Sequence, residues 1–194
     1  QIIQKPFSVG ARIEHPQKLI DKAQYGAFAG HPKLGAADYK LSCHGLHQRG
    51  AYTFCMCPGG TVVAAASEKG GVIVNGMSTL ARDGENANSA LLVGIDPVDF
   101  PSEHPLAGMY YQREIEQNAF ALGGGDYRAP AQLVGDFLAD RKSRALGNVQ
   151  PTCPTGVTLT NLRYCLPDKV RTTMQAAITE MDKRLHGFAL PDAV

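Results

Sequence analysis

The chain has 194 residues, of which 44% are apolar and 19% charged, with a formal net charge of +1 at pH 7. That balance excludes a disordered chain, and the length is enough to bury a core. No basic stripe points to a nucleic-acid partner, and no stretch reaches the ~18 apolar residues that a membrane span needs.

Lys5–Glu14 alternates, with Phe7, Val9, Ala11 and Ile13 on one face, and predicts a half-buried strand that His15-Pro16 ends. Pro16–Tyr25 predicts a short helix with proline in its first turn, and Gly26–Gly35 a loop. Ala37–Cys43 and Ala51–Met56 follow as strands joined by a turn over His44–Gly50. Thr61–Ser67 and Gly71–Asn75 predict a hairpin across Glu68-Lys69-Gly70, and Ala87–Ile95 a further strand. Together they predict an antiparallel sheet or a distorted β-barrel over about residues 1–101. Beyond Pro101 the spacing becomes helical: Leu106–Leu122, stopped by Gly123–Gly125, then Ala129–Ser143, a loop over Asn148–Asn161, and Pro167–Leu185. The expected architecture is α+β, with a three-helix lobe over about 102–194, kept as a single domain.

The five cysteines (43, 55, 57, 153 and 165) are an odd number without secretory context, so reduced thiols in a cytoplasmic protein are expected. Residues 55–93 hold most of the polar chemistry. Cys55 and Cys57 lie two apart, which on a strand places them on one side. They read either as a redox pair, or thiols beside an electron-accepting cofactor, or as two small core residues. A zinc set of Cys43, His44, His47, Cys55 and Cys57 departs from the usual ligand spacing, and no metal is expected. Gly59, Gly60 and Asn75-Gly76 are simple turns, or places where backbone approaches a flat ligand. Arg82, Asp83, Asn86 and Asn88 line a pocket or form a buried network in which Asp83 pairs Arg82 or caps a turn. No Gly-x-Gly-x-x-Gly, Walker-type loop or Gly-x-Ser-x-Gly occurs, so neither a dinucleotide fold nor a hydrolase elbow is visible.

The motifs CMCPGG (55–60), VNGMS (74–78) and RDGENANSALL (82–92) resemble the middle region of the uncharacterised FAD-dependent dehydrogenases, an NAD(FAD)-utilising dehydrogenase-like family of bacterial flavoproteins. KPFSVGARIEHPQKLID (5–21) and CLPDKVRTTMQAAITEMDKRLHGF (165–188) resemble it too, so the likeness covers nearly the whole chain. In such proteins a two-part, Rossmann-like FAD-binding domain is interrupted by an inserted domain. The resemblance implies that this chain is that insert, cut at both ends, with the FAD-binding segments before Gln1 and after Val194 and these two residues close in space. It implies FAD for the full-length protein and none bound to this chain alone, which would be inactive by itself. The partner implied is the FAD-binding domain of the same polypeptide, together with a small-molecule substrate. By position, Cys55, Cys57, Gly59 and Gly60 would approach the flavin or the substrate. Asn75, Arg82, Asp83, Asn86 and Asn88 would line or brace the same pocket, Arg82 holding an anionic group and the amides orienting a carbonyl. The flavin would carry the hydride chemistry of an oxidoreductase. The alternative is a non-catalytic binding or interaction module in which the cysteine-rich strand is structural.

Overall fold

A computed structural model describes residues 2–194. In chain order the elements are β1 (Phe7–Pro16), α1 (Gln17–Tyr25), β2 (Ser42–Leu46), β3 (Arg49–Cys57), β4 (Gly60–Ala64), β5 (Val74–Ser78) and β6 (Asn86–Ile95). The second half adds α2 (Ala107–Gly123), β7 (Ala129–Ala131), α3 (Val134–Leu138), β8 (Val157–Leu159) and α4 (Asp168–Asp182). The fold is α+β, as expected from the sequence. Four antiparallel strands form an open sheet in the order β1-β6-β3-β2, so of the two forms anticipated the sheet is the one found.

Alternation gives that sheet two faces. Val9 and Ile13 of β1, with Ala87, Leu91, Val93 and Ile95 of β6, point into the core. Against them α4 lays Val170, Met174, Ala177, Ile178 and Met181, whose 3-4 spacing makes one apolar stripe. One core therefore contains residues of both halves of the chain. The opposite face carries Ser8, Gly10, Arg12 and Glu14 beside Leu92, Ala90, Asn88 and Asn86.

Several elements differ from the sequence expectation, each for a local reason. β1 continues through His15 and Pro16, which pair with Ala87 and Asn86. It is an edge strand, where a missing proline N–H breaks no ladder. Residues 37–41 form no strand. Ala37, Tyr39 and Leu41 are buried, and Leu41 is fixed to Thr53 through the Thr53 N–H (2.8 Å) and the Thr53 Oγ1 (2.9 Å). The β2–β3 turn tightens to His47 and Gln48, both at positive φ (48° and 64°), a two-residue hairpin loop. The β4–β5 ribbon pairs Thr61 with Met77 and Ala64 with Val74, so its connection is residues 65–73, longer than expected.

Ala129–Ala131 is not helical. It is a strand paired in parallel with β8, which lies in the stretch expected to be loop. Pro130 favours the extended form, and α3 is only the remainder of the predicted second helix. Gly124, at φ 112°, caps α2 where the glycine run predicted a stop. Val194 is tied to β1 by two backbone bonds with Glu14, at 2.7 and 3.2 Å. The expected proximity of Gln1 to Val194 lies outside the described residues. No helix among the described residues is long and apolar enough to cross a membrane.

Candidate functional site

The polar face of β1 organises the site. Arg12 and Glu14 are two apart on one strand, and Asn88 and Asn86 face them from β6 in a diagonal register. Arg12 is half-buried, and its guanidinium reaches four of the residues singled out from the sequence. Its Nε donates to Asn88 Oδ1 at 2.8 Å, Nη1 to Asn75 Oδ1 at 3.3 Å, and Nη2 to the Cys55 carbonyl at 2.6 Å. Nη2 also lies 3.7 Å from Cys57 Sγ. Among the described residues no carboxylate lies within ion-pair distance of Arg12 (N···O 4.0 Å or less). Burial pulls the guanidinium below its ordinary pKa, and Cys57 and Cys55 act against that shift.

The two cysteines do not share an environment. β3 is bulged between Phe54 and Cys57, and Cys55 takes φ 43°. The bulge interrupts the alternation, so Cys55 is exposed while Cys57 is buried, its Sγ donating to the Cys55 carbonyl at 3.2 Å. All five cysteines are free. Among the described residues no group of three or more His, Cys, Asp or Glu could hold a metal ion.

Glu14, buried at 4% exposure, ties the second part of the cluster. Its carboxylate accepts from Asn86 Nδ2 (3.2 Å), the Thr152 N–H (3.0 Å) and Thr152 Oγ1 (2.6 Å). Thr152 Oγ1 in turn accepts from the Val62 N–H at 2.8 Å, which locks the β4–β5 ribbon over this end of the sheet. Asn86 also donates to the Gln150 carbonyl at 2.8 Å. Asn88 has no exposed surface, and its Nδ2 has no partner.

The glycines are occupied by the chain itself. A Cβ on Gly59, which has φ 48°, would strike the Arg82 carbonyl, and one on Gly60 would meet Cys57 Cβ and the Met77 oxygen at 2.8 Å. One on Gly76 would overlap the Arg12 guanidinium and Asn88 Oδ1. The Gly59 N–H donates to Gln17 Oε1 at 2.7 Å. Arg82 and Asp83 stand apart from the cluster. Both are exposed, Arg82 has φ 52°, and Asp83 accepts from Thr79 Oγ1 at 3.4 Å rather than pairing Arg82. Of the nine residues anticipated, the structure thus gathers Cys55, Cys57, Asn75 and Asn88 around Arg12. Asn86 joins through Glu14. Arg12, Glu14 and Gln17 were missed, although the charges at 12 and 14 stand out on a strand whose other face is apolar.

A cavity of about 460 Å³ adjoins the cluster. Its floor is β1 and β6 (Ser8, Gly10, Arg12, Ala90, Leu92), and its walls come from the ribbon, α2 and β7. Val62, Val72, Ile115 and Leu166 make the lining largely apolar. The volume lies in the range of roughly 300–1,000 Å³ usual for small-molecule sites.

A protein-family description, "FAD-dependent protein, C-terminal domain-like", matches residues 6–194. An uncharacterised protein of Clostridium beijerinckii (strain ATCC 51743 / NCIMB 8052) is 53% identical over 191 residues. That match spans 98% of this chain and 36% of the relative's own length.

A Rossmann-type site holds the FAD pyrophosphate on backbone N–H groups where a glycine-rich turn enters a helix. Among the described residues no glycine-rich turn opens a long helix. The three long helices begin after Pro16, Leu106 and Pro167, and the space beside Gly59 and Gly60 is filled by the chain's own atoms.

Proposed function

The chain belongs to the family of FAD-dependent proteins' C-terminal-like domains, and on that premise we propose that it is the substrate-side domain of an FAD-dependent oxidoreductase. In this reading it is inserted in a longer polypeptide whose other segments bind the FAD, and it is inactive when separated from them. The observation that carries the proposal is the gathering of Cys55, Cys57, Asn75 and Asn88 around the Arg12 guanidinium, beside a small-molecule-sized cavity. Cys55 and Asn75, both exposed, are the residues available to the docked FAD-binding domain or the substrate. Glu14, Asn86 and Thr152 brace the floor of the pocket, and Thr152 ties the ribbon to it. The free thiols support a reducing, cytoplasmic setting.

A second reading, a binding module without catalysis, is favoured by the apolar cavity, which asks for a ligand but for no redox step. Visible absorbance after incubation with FAD and desalting separates the two. The oxidoreductase reading expects flavin retained by the complete polypeptide, not by this chain alone, and a changed flavin spectrum in the Arg12→Gln form of the complete polypeptide. A complete polypeptide that retains no flavin sinks it.

A further inference from the structure

Arg12 lines an apolar cavity without a carboxylate at ion-pair distance among the described residues, Glu14 acting on it only from two positions along the strand. Its acceptors are two side-chain amides, one carbonyl and one thiol, and a guanidinium has five N–H donors, so one Nη1 hydrogen is left without an acceptor. Partial withdrawal of a charge from water without a counter-charge at contact distance is unfavourable, so an anion supplied from outside is favoured there. The other charged groups of the lining do not meet that need. Glu14 is committed to Asn86 and Thr152, and the Glu116 carboxylate accepts from Gln112 at 2.7 Å.

We propose that the cavity between β1, the β4–β5 ribbon, α2 and β7 binds an amphipathic carboxylic acid, with Arg12 as anchor for the carboxylate and the apolar walls enclosing the body. Val62, Val72, Leu92, Ile115, Ala119 and Leu166 make that enclosure. In this proposal the anion is held by Arg12 and not by Arg82, which is exposed and does not line the cavity. The proposal does not depend on the flavin, since binding is read without turnover.

The test is calorimetric titration of the complete polypeptide with octanoate and with octan-1-ol, which share a chain and differ in charge. Octanoate is expected to bind at least about ten-fold tighter, the contrast of a charge-assisted bond. Arg12→Gln should remove that advantage while the alcohol affinity stays unchanged. Photolabelling with a diazirine-bearing octanoate, which needs no variant, should mark β1, β6 or α2. Equal affinity of the two probes, no binding of either, an octanoate advantage that survives in Arg12→Gln, or labelling confined to other segments would overturn the proposal.

Discussion

Arg12 and Asn88 meet diagonally across the β1–β6 ladder, the Arg12 Nε donating to Asn88 Oδ1 at 2.8 Å, while their direct partners are Ala90 and Glu14. The bond fixes the guanidinium above Gly76, the one position in β5 whose missing side chain leaves room for it. Three strands thus converge on one cation, and the cluster's consequences can be measured separately.

Removing the amide should expose the dependence of Arg12 on it. Asn88→Ala leaves Nε without its acceptor in a buried setting and is expected to cost about 1–3 kcal/mol. Asn88→Asp keeps the acceptor but sets a buried carboxylate directly opposite Glu14, its cross-strand partner, which offsets the gain beside the guanidinium, so it should cost as much at pH 7. Urea midpoints of the two variants decide this. A neutral Asn88→Ala would mean that the bond contributes little.

Gly76→Ala tests the packing over the guanidinium. Its Cβ overlaps both Arg12 and Asn88 Oδ1, so either the ribbon lifts or the Arg12 bonds break. Overpacking of this kind costs on the order of 1–3 kcal/mol. The expected result is a lowered melting temperature with secondary structure retained by circular dichroism. An unchanged midpoint would contradict the close approach.

His15 makes stability depend on pH. It is fully buried, its Nε2 2.8 Å from the Phe188 carbonyl, and burial lowers its pKa from 6.5 to about 4. Above 6.5 both folded and unfolded forms are neutral and the group has no effect. Between 6.5 and about 4 only the unfolded chain takes the proton, so stability falls as pH falls. The loss amounts to roughly 3 kcal/mol when complete. In urea titrations from pH 7 to pH 4.5, His15→Gln should flatten the slope; an equal slope would place the pH response elsewhere.

Thiol chemistry should distinguish the two cysteines of β3. Cys55 is exposed, whereas Cys43, Cys57, Cys153 and Cys165 are buried. Burial also pushes Cys165 up to about 11, which leaves little thiolate at neutral pH. Mass spectrometry after a short pulse of iodoacetamide should find Cys55 labelled first. Cys57 labelled as fast would show that the bulge is open in solution. Cys55→Gly relieves the positive φ and should be neutral or stabilising by up to about 1 kcal/mol.

What was legible in the sequence was whatever a single element states about itself. The alternation of Phe7–Ile13, the 3-4 stripe from Val170 to Met181 and the glycine stop after α2 each report burial or backbone freedom within a few residues. The run Ala129–Ala131 was not legible, because three residues carry no period and their partner, β8, lies far along the chain. The pairing of β4 with Val74–Ser78 was displaced for a related reason: several glycines nearby were equally able to turn the chain.

The sequence by itself determined the α+β class and the apolar stripes that draw sheet and helix together, and it nominated nine candidate residues, of which Cys55, Cys57, Asn75, Asn86 and Asn88 lie in one cluster. Tertiary structure alone decided that Arg12 joins them and that Arg82 does not. The bonds of Arg12 span 43, 63 and 76 residues, and they form only once β6 has paired between β1 and β3 and the ribbon has folded across. Local residue pattern records which face of a strand is polar; which distant acceptors reach that face depends on strand order and register, and these are settled by burying the core on the other side.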